Sequence, residues 1–408
     1  MIDLTPQETQ EAIDWLASFN DHGPGMNRKL YSQSWVAAQH ALKRQFEELG
    51  MKAEFDQVGN LFATLEGAEE PETIIAAGSH VDTVGNGGKL DGALGIVAAY
   101  LSVKKLVEKY GQPKKSIRII SMAEEEGSRF PYAFWGSKNI FGEARIDDVK
   151  GTTDGDGVVF EDAMHQAGFD FPTGNLKFND MAVWLELHIE QGNFLELEQQ
   201  QVGVVNAIVG QKRYTITLKG EANHAGTTLM RYRKDAIEAM SRMIVSSLDK
   251  AKEVRDPLVL TFGRVDVIPN VVNVVPGEVS FTMDCRHTDQ AALDQFTAMV
   301  EEDMAEIAKR MDIAIEIDQW MDEAPIPMNQ DVYQLLVDVC RDLKLNYREM
   351  HSGAGHDTQI IAPHVPSAML FVPSVKGISH NPDEYTPPQD IVPGVQAMAE
   401  AMRRLAYE

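Results

Sequence analysis

Three histidines and a small set of acids fall where an α/β protein keeps its reactive groups. His80 and Asp82 close the segment TIIAAGSHVD, and Asp91 stands just before a helical pattern in GGKLDGALG. Glu124, Glu125 and Glu126 follow the apolar run 117–123, His188 and Glu190 close MAVWLELHIE, and His380 follows SAMLFVPS in GISHNPDE. Adjacent carboxylates repel one another, so three in a row ask for a positive charge in front of them. Imidazole and carboxylate together form a borderline-hard donor set suited to Zn²⁺, Mn²⁺ or Co²⁺. Three His, one Asp and one Glu exceed what a single catalytic zinc needs while keeping a position open. They suit two ions about 3.5–4 Å apart, sharing one carboxylate and a water or hydroxide. One glutamate of the run can then bind metal while its neighbour acts as base. Asp82, two residues after His80, is placed to take the second imidazole N–H and fix the tautomer. Singly, each His is more often an ordinary surface or core residue than a ligand, EEEG alone reads as a solvated strand end, and GNGG before KLDG lacks the Lys-Ser/Thr pair of a phosphate loop. The joint placement at four strand ends carries the argument, because ligands of open α/β sheets bind outside the carboxyl ends of the strands.

The elements needed to position these groups are legible around them. Residues 73–80, 116–123, 181–190 and 367–374 read as buried strands, with a shorter one near 345–350. Helical patterns cover 93–111, 331–343 and 389–406. Such alternation predicts an α/β fold with an open mixed sheet and helices on both faces. The middle differs: strand 213–221, helix 233–253, strands 257–268 and 277–287, helix 290–311 and strand 312–320 follow the order β-α-β-β-α-β of a ferredoxin-like unit. The chain therefore divides into a metal-binding catalytic domain from 1–209 and 326–408, and an inserted domain over 210–325.

Composition narrows the partners. With 62 acidic against 37 basic side chains the formal charge is −25, which opposes binding to nucleic acid or an anionic membrane. Two cysteines, Cys285 and Cys340, in apolar surroundings read as buried thiols in a reducing compartment. Thr5, Pro6 and Glu8 spell a helix start, not a leader peptide. No apolar run approaches the roughly 20 residues that span a bilayer. A soluble cytoplasmic protein is expected.

The stretches SHVDTVGNGGKLDGALG, AEEEGSRF, GSKNIFG, LELHIEQG, NHAGTT, SGAGHD and GISHNP, in that order along nearly the whole chain, resemble the M20-type metallopeptidase superfamily and specifically its hydantoinase/carbamoylase branch of amidohydrolases. The resemblance implies two divalent ions, Zn or Mn, one held by His80, Asp91 and His188 and the other by Asp91, Glu126 and His380. It makes Glu125 the general base and leaves Glu124 a supporting acid or an exposed one. In the inserted domain it implies that His224 stabilises charge on the attacked carbonyl oxygen, that Arg286 clamps a substrate carboxylate, and that Gln211 and Asn273 hydrogen-bond the substrate. His356 and Asp357 of SGAGHD would support the site. Leu229 follows AGTT where relatives often carry Pro.

The implied reaction is hydrolysis of a ureido C–N bond in a small carboxylate, by a homodimer whose inserted domain serves as lid and dimerisation surface. Allantoate is the favoured substrate, giving ureidoglycine, ammonia and carbon dioxide. An N-carbamoyl-L-amino acid is the alternative, and polar rather than apolar room around the side chain separates the two. An aminoacylase or dipeptidase, or a catalytically silent binding protein of the same fold, would keep the architecture. The silent protein would have lost a ligand or the base, and none is missing here.

Overall fold

A computed structural model describes residues 2–408. The chain forms two compact units: one from the segment ending at Asn206 together with Met328–Glu408, the other from Ala207–Pro327.

In the larger unit, Lys115–Met122, Glu70–His80, Met181–Ile189 and Ser367–Val372 lie side by side and parallel. Antiparallel strands flank them, Leu61–Leu65 and then Lys52–Phe55 on one side and Val202–Ile208 on the other, so the sheet is mixed. Tyr347–Ser352 also pairs with Val202–Ile208. The inner strands are buried on both faces, which is why their sequences are continuous apolar runs rather than alternations. One face, marked by Ser79, Ser121 and Leu187, carries the long helices. Gln39 of Gln33–Glu48 bonds Ser121, Gly95 of Ala93–Tyr110 abuts Ser79, and Gly394 of Pro388–Ala406 abuts Leu187. On the other face Phe62, Ala76, Ile120, Met122 and Trp184 pack with Ile140 of the helix Trp135–Phe141 and Ile361 of the helix Thr358–Ile361. His80 pairs with Met122 and His188 with Phe371 in the ladder, so both histidines stand at the carboxyl ends of their strands.

The first helix, Pro6–Ala17, begins as its sequence says. Thr5 accepts from the Glu8 amide and Glu8 reaches back to the Thr5 amide.

The smaller unit has a sheet in the order Val265–Ile268, Glu278–His287, Gly210–Lys219, Ala314–Glu323, antiparallel throughout. Strict alternation along Gly210–Lys219 and Glu278–His287 sends Tyr214, Ile216, Phe281 and Met283 into a core with helices Ala236–Val254 and Gln290–Arg310. The opposite side chains, Gln211, Arg213, Asp284 and Arg286 among them, line the other face. The single strand expected over 257–268 is two, Val259–Thr261 and Val265–Ile268, both paired to Glu278–His287. The register shifts by one residue between them, Thr261 opposite Asp284 and Val265 opposite Phe281, and at the shift the Arg264 amide donates to the Thr282 hydroxyl while the Thr282 amide donates to the Arg264 carbonyl.

Candidate dinuclear metal centre

The site is built from two kinds of segment. Strand ends deliver His80, Glu125, Glu126 and His188, whereas loops deliver Asp91 and His380. The ladder fixes His80 and His188, whereas Glu125 and Glu126 lie in the turn just past the strand Lys115–Met122. The loops need other means.

Asp91 lies at the middle. Its Oδ1 is 3.1 Å from His188 Nε2 and 3.7 Å from His80 Nε2, and its Oδ2 is 3.1 Å from His380 Nε2. His380 Nε2 is also 3.4 Å from Glu126 Oε1. Two donor sets therefore share Asp91: His80, Asp91 and His188, and Asp91, Glu126 and His380, with the donor atoms of each within 4.8 Å of one another. A third grouping, His80 with Glu125 and Glu126, satisfies the same distance, so proximity alone lets either glutamate ligate. Glu126 joins a set with His380; Glu125 does not.

The histidines are oriented for ligation. His188 Nδ1 lies 2.9 Å from the Ile189 carbonyl oxygen and His80 Nδ1 lies 3.1 Å from that of Asp82, which anchors each ring by Nδ1 and turns each Nε2 toward Asp91. The Asp82 carboxylate is 3.3 Å from the same His80 nitrogen and also accepts from the Glu125 and Glu126 amides at 3.1 and 3.2 Å. Asp82 thus fixes a histidine ring and the acidic turn together. Gly92 has φ +63°, and a Cβ there would sit 2.3 Å from the His80 ring, so the residue after Asp91 must be glycine. Neutral imidazoles, ionised carboxylates and this shared acid fit two divalent ions.

The electrostatics describe the same need from the protein side. Burial pushes the Glu125 carboxyl well up, with Glu126, Asp357 and Asp82 adding to the rise and His80 opposing it. Burial likewise raises Glu124, helped by Asp82. Glu124 is buried and its Oε2 has no partner among the described residues, so it is not the exposed acid that is one of its two expected readings. Asp357 is fully buried, and burial lifts it to about 8. On the cationic side, hydrogen bonds to Asp91 and Glu126 raise His380 to about 10. A site so rich in acid holds protons where cations belong.

Three residues outside the expected set hold Asp91. Gln191 Nε2 and Ser379 Oγ donate to its Oδ2 at 2.9 and 3.0 Å. Glu384 accepts from the Leu90 and Asp91 amides at 2.9 and 3.1 Å. All three lie inside or beside stretches already singled out, HIEQG and GISHNPDE, yet no periodicity marks them. His356 is buried with its ring 4.5 Å from that of His188 and its Nε2 2.9 Å from Ser352 Oγ.

The other expected site residues lie in the smaller unit. Gln211 and Arg286 are direct cross-strand partners. Arg286 donates through Nε and Nη2 to the two oxygens of Asp284, at 2.9 and 3.0 Å, and Asp284 also accepts from Arg213 at 2.8 Å. Gln211 Nε2 donates to Glu323, while its buried Oε1 has no partner among the described residues. His224 and Asn273 sit together on a two-stranded ribbon: Val274 pairs with His224, and the Ala225 amide donates to the Asn273 carbonyl. Leu229 has φ −62°, a value proline also adopts, so the departure from Pro leaves that turn's backbone unstrained.

Comparison with known proteins agrees with this architecture along its whole length. The chain is 52% identical to allantoate amidohydrolase of Escherichia coli (strain K12), covering 100% of both proteins. It is 32% identical to the N-carbamoyl-L-amino-acid amidohydrolase of Paenarthrobacter aurescens over 98% of each. The crystal structure of an amidase of the hydantoinase/carbamoylase family from Burkholderia multivorans superposes with a TM-score of 0.93 at 30% identity, covering 100% of this chain and 99% of that one. With a family model matching residues 76–404, the chain belongs to Peptidase family M20/M25/M40.

Proposed function

We propose that this protein hydrolyses the ureido C–N bond of allantoate, giving ureidoglycine, ammonia and carbon dioxide, with two divalent ions, zinc or manganese. The observation that carries the reading is Asp91 shared between two histidine-bearing donor sets with Glu125 beside them. Identity of 52% to an allantoate amidohydrolase, against 32% to a carbamoyl-amino-acid enzyme, favours allantoate over the alternative.

His80, Asp91 and His188 would hold one ion and Asp91, Glu126 and His380 the other. Bound there, they would polarise the carbamoyl carbonyl and lower the pKa of water. Glu125 takes a proton from the attacking water and returns it to the leaving nitrogen. Its place in the acidic turn beside both donor sets puts a carboxylate within reach of that water. His224 stabilises charge developing on the carbonyl oxygen. Arg286, its fork aligned by Asp284, clamps the substrate carboxylate. Gln211 and Asn273 bind the ureido groups, and the unpartnered Gln211 Oε1 suits a ureido N–H. The smaller unit, whose strand order is that of a ferredoxin-like fold, serves as lid and dimerisation unit. Its edge strand Val265–Ile268 and the following Val271 and Val272 expose apolar side chains, as a surface that pairs with a second copy does. The enzyme works in the cytoplasm as a homodimer.

The test measures ammonia release from allantoate and from N-carbamoyl-L-amino acids side by side, with chelated protein restored by Mn²⁺ or Zn²⁺. Metal-dependent release from allantoate, with N-carbamoyl-methionine turned over poorly, supports the reading. Equal or better turnover of N-carbamoyl-methionine moves the function to the alternative, and release from neither removes both.

A further inference from the structure

Of the residues that carry the centre, Asp91 and His380 lie on loops, and loops are mobile unless tied. His380 adopts φ +54°, a left-handed conformation that is strained for a non-glycine residue and persists only where its surroundings impose it. The turn after it does so: Asn381 Oδ1 accepts from the Asp383 amide at 2.9 Å, and the Asn381 carbonyl accepts from the Glu384 amide at 3.0 Å. That turn aims Glu384 back at the other loop. Its Oε1 accepts from the amides of Leu90 and of Asp91 itself. Its Oε2 lies 3.3 Å from Ser379 Oγ, whose single hydroxyl proton also faces Asp91 Oδ2 at 3.0 Å, so Ser379, the neighbour of His380, touches both carboxyl groups. Glu384 is 4% exposed, and Gly88 makes the room: a Cβ at 88 would lie 2.2 Å from the Glu384 carboxyl.

We infer that Glu384 is a positioning residue, a latch that joins the Asp91 loop to the His380 turn and so sets the second metal position. The inference rests on the two-ion reading above. A buried carboxylate is costly unless hydrogen-bonded, and these donors satisfy it only when both loops are in place. The geometry therefore couples the two loops: displacing either one strips partners from a buried carboxyl group. His80 and His188 stand on strands and do not depend on this latch.

The test titrates metal-free wild type, E384A, E384Q and E384D with Co²⁺ against a chromophoric chelator, reading stoichiometry, affinity and the visible spectrum. Wild type should bind two ions. In E384A the weaker ion should lose about 10- to 100-fold in affinity, the scale for removing a group that orients ligands, and at least tenfold more than the tighter ion. E384Q, whose amide oxygen can still accept from both backbone amides, should recover to within a few-fold of wild type. If E384A does not fold, E384Q and E384D decide between them, since Asp is one methylene too short to reach both loops. Wild-type affinity for both ions in E384A or E384D, or an equal fall in both, overturns the latch. A wild type that binds fewer than two ions overturns the two-ion reading and the latch with it. Failure confined to the variants leaves that reading intact.

Discussion

Adding divalent ions to the metal-free protein should release protons, and His380 sets the amount. Its imidazole is held at about 10 by hydrogen bonds to Asp91 and Glu126. A coordinating imidazole must be neutral, so that proton leaves when the ring becomes a ligand. A group with pKa 10 is roughly 99% protonated at pH 8, which means about one proton displaced and about a tenfold gain in apparent affinity per pH unit. The side chain is 50% exposed, and solvent screens part of such a shift. The working midpoint therefore falls between the ordinary 6.5 and 10, and release is largest at pH values below that midpoint. His80 adds to it: burial alone would lower its pKa, but the Asp82 charge and hydrogen bond outweigh burial and raise it well above the usual histidine range. At least one proton per loaded protein is expected near pH 7, because the His188 ring, raised by Asp91, and the raised Glu125 and Asp357 carboxyls add to these two rings. The assay is isothermal titration calorimetry with Mn²⁺ in buffers of different ionisation enthalpy, at pH 6.5, 7.5 and 8.5. Binding that releases no protons, with affinity flat across that range, would refute the claim that protonated histidines occupy the cationic positions of the empty centre.

Three substitutions test the roles separately. Glu125→Gln should cut turnover by about 10²–10⁴, the contribution of a general base, while metal content stays near wild type; lost metal with turnover merely lowered would show that Glu125 and Glu126 have each other's roles. Gly92→Ala forces a Cβ to 2.3 Å from the His80 ring at φ +63°, so bound metal measured by atomic absorption should fall; unchanged metal content would mean the loop yields at no cost to His80. Arg286→Lys loses the planar fork that bonds both oxygens of Asp284 and should raise KM for carboxylate substrates about tenfold or more, with unchanged kinetics removing Arg286 from the site.

How much of this was legible follows from where each residue sits. His80, His188 and the acidic run end buried strands, and a buried parallel strand announces its own end by the change from apolar to polar. The core strands, the long helices and the β-α-β-β-α-β order of the middle were readable on the same grounds of period and length. What was not readable depends on contacts across large sequence separations. The split of 257–268 is a one-residue shift in its register against the neighbouring strand, and period alone does not mark such a shift. The burial of Glu124 is decided by the sheet end around it, because an acid at the end of a strand reads the same whether water or packed chain lies beyond.

Glu384 shows the limit most sharply. Residue by residue, HNPDE is an Asn-Pro turn with two exposed-looking acids, and turn chemistry predicts its shape without its purpose. Its meaning appears only when a loop nearly 300 positions earlier presents two backbone amides and a glycine opposite it, at 2.9 and 3.1 Å. Backbone donors leave no mark in side-chain identity. A sequence therefore names the atoms that can bind metal more readily than it names those that hold them still. By the same reasoning, the undetected determinants of such centres are to be sought among acids that accept from loop amides, one turn away from a ligand, rather than among further histidines.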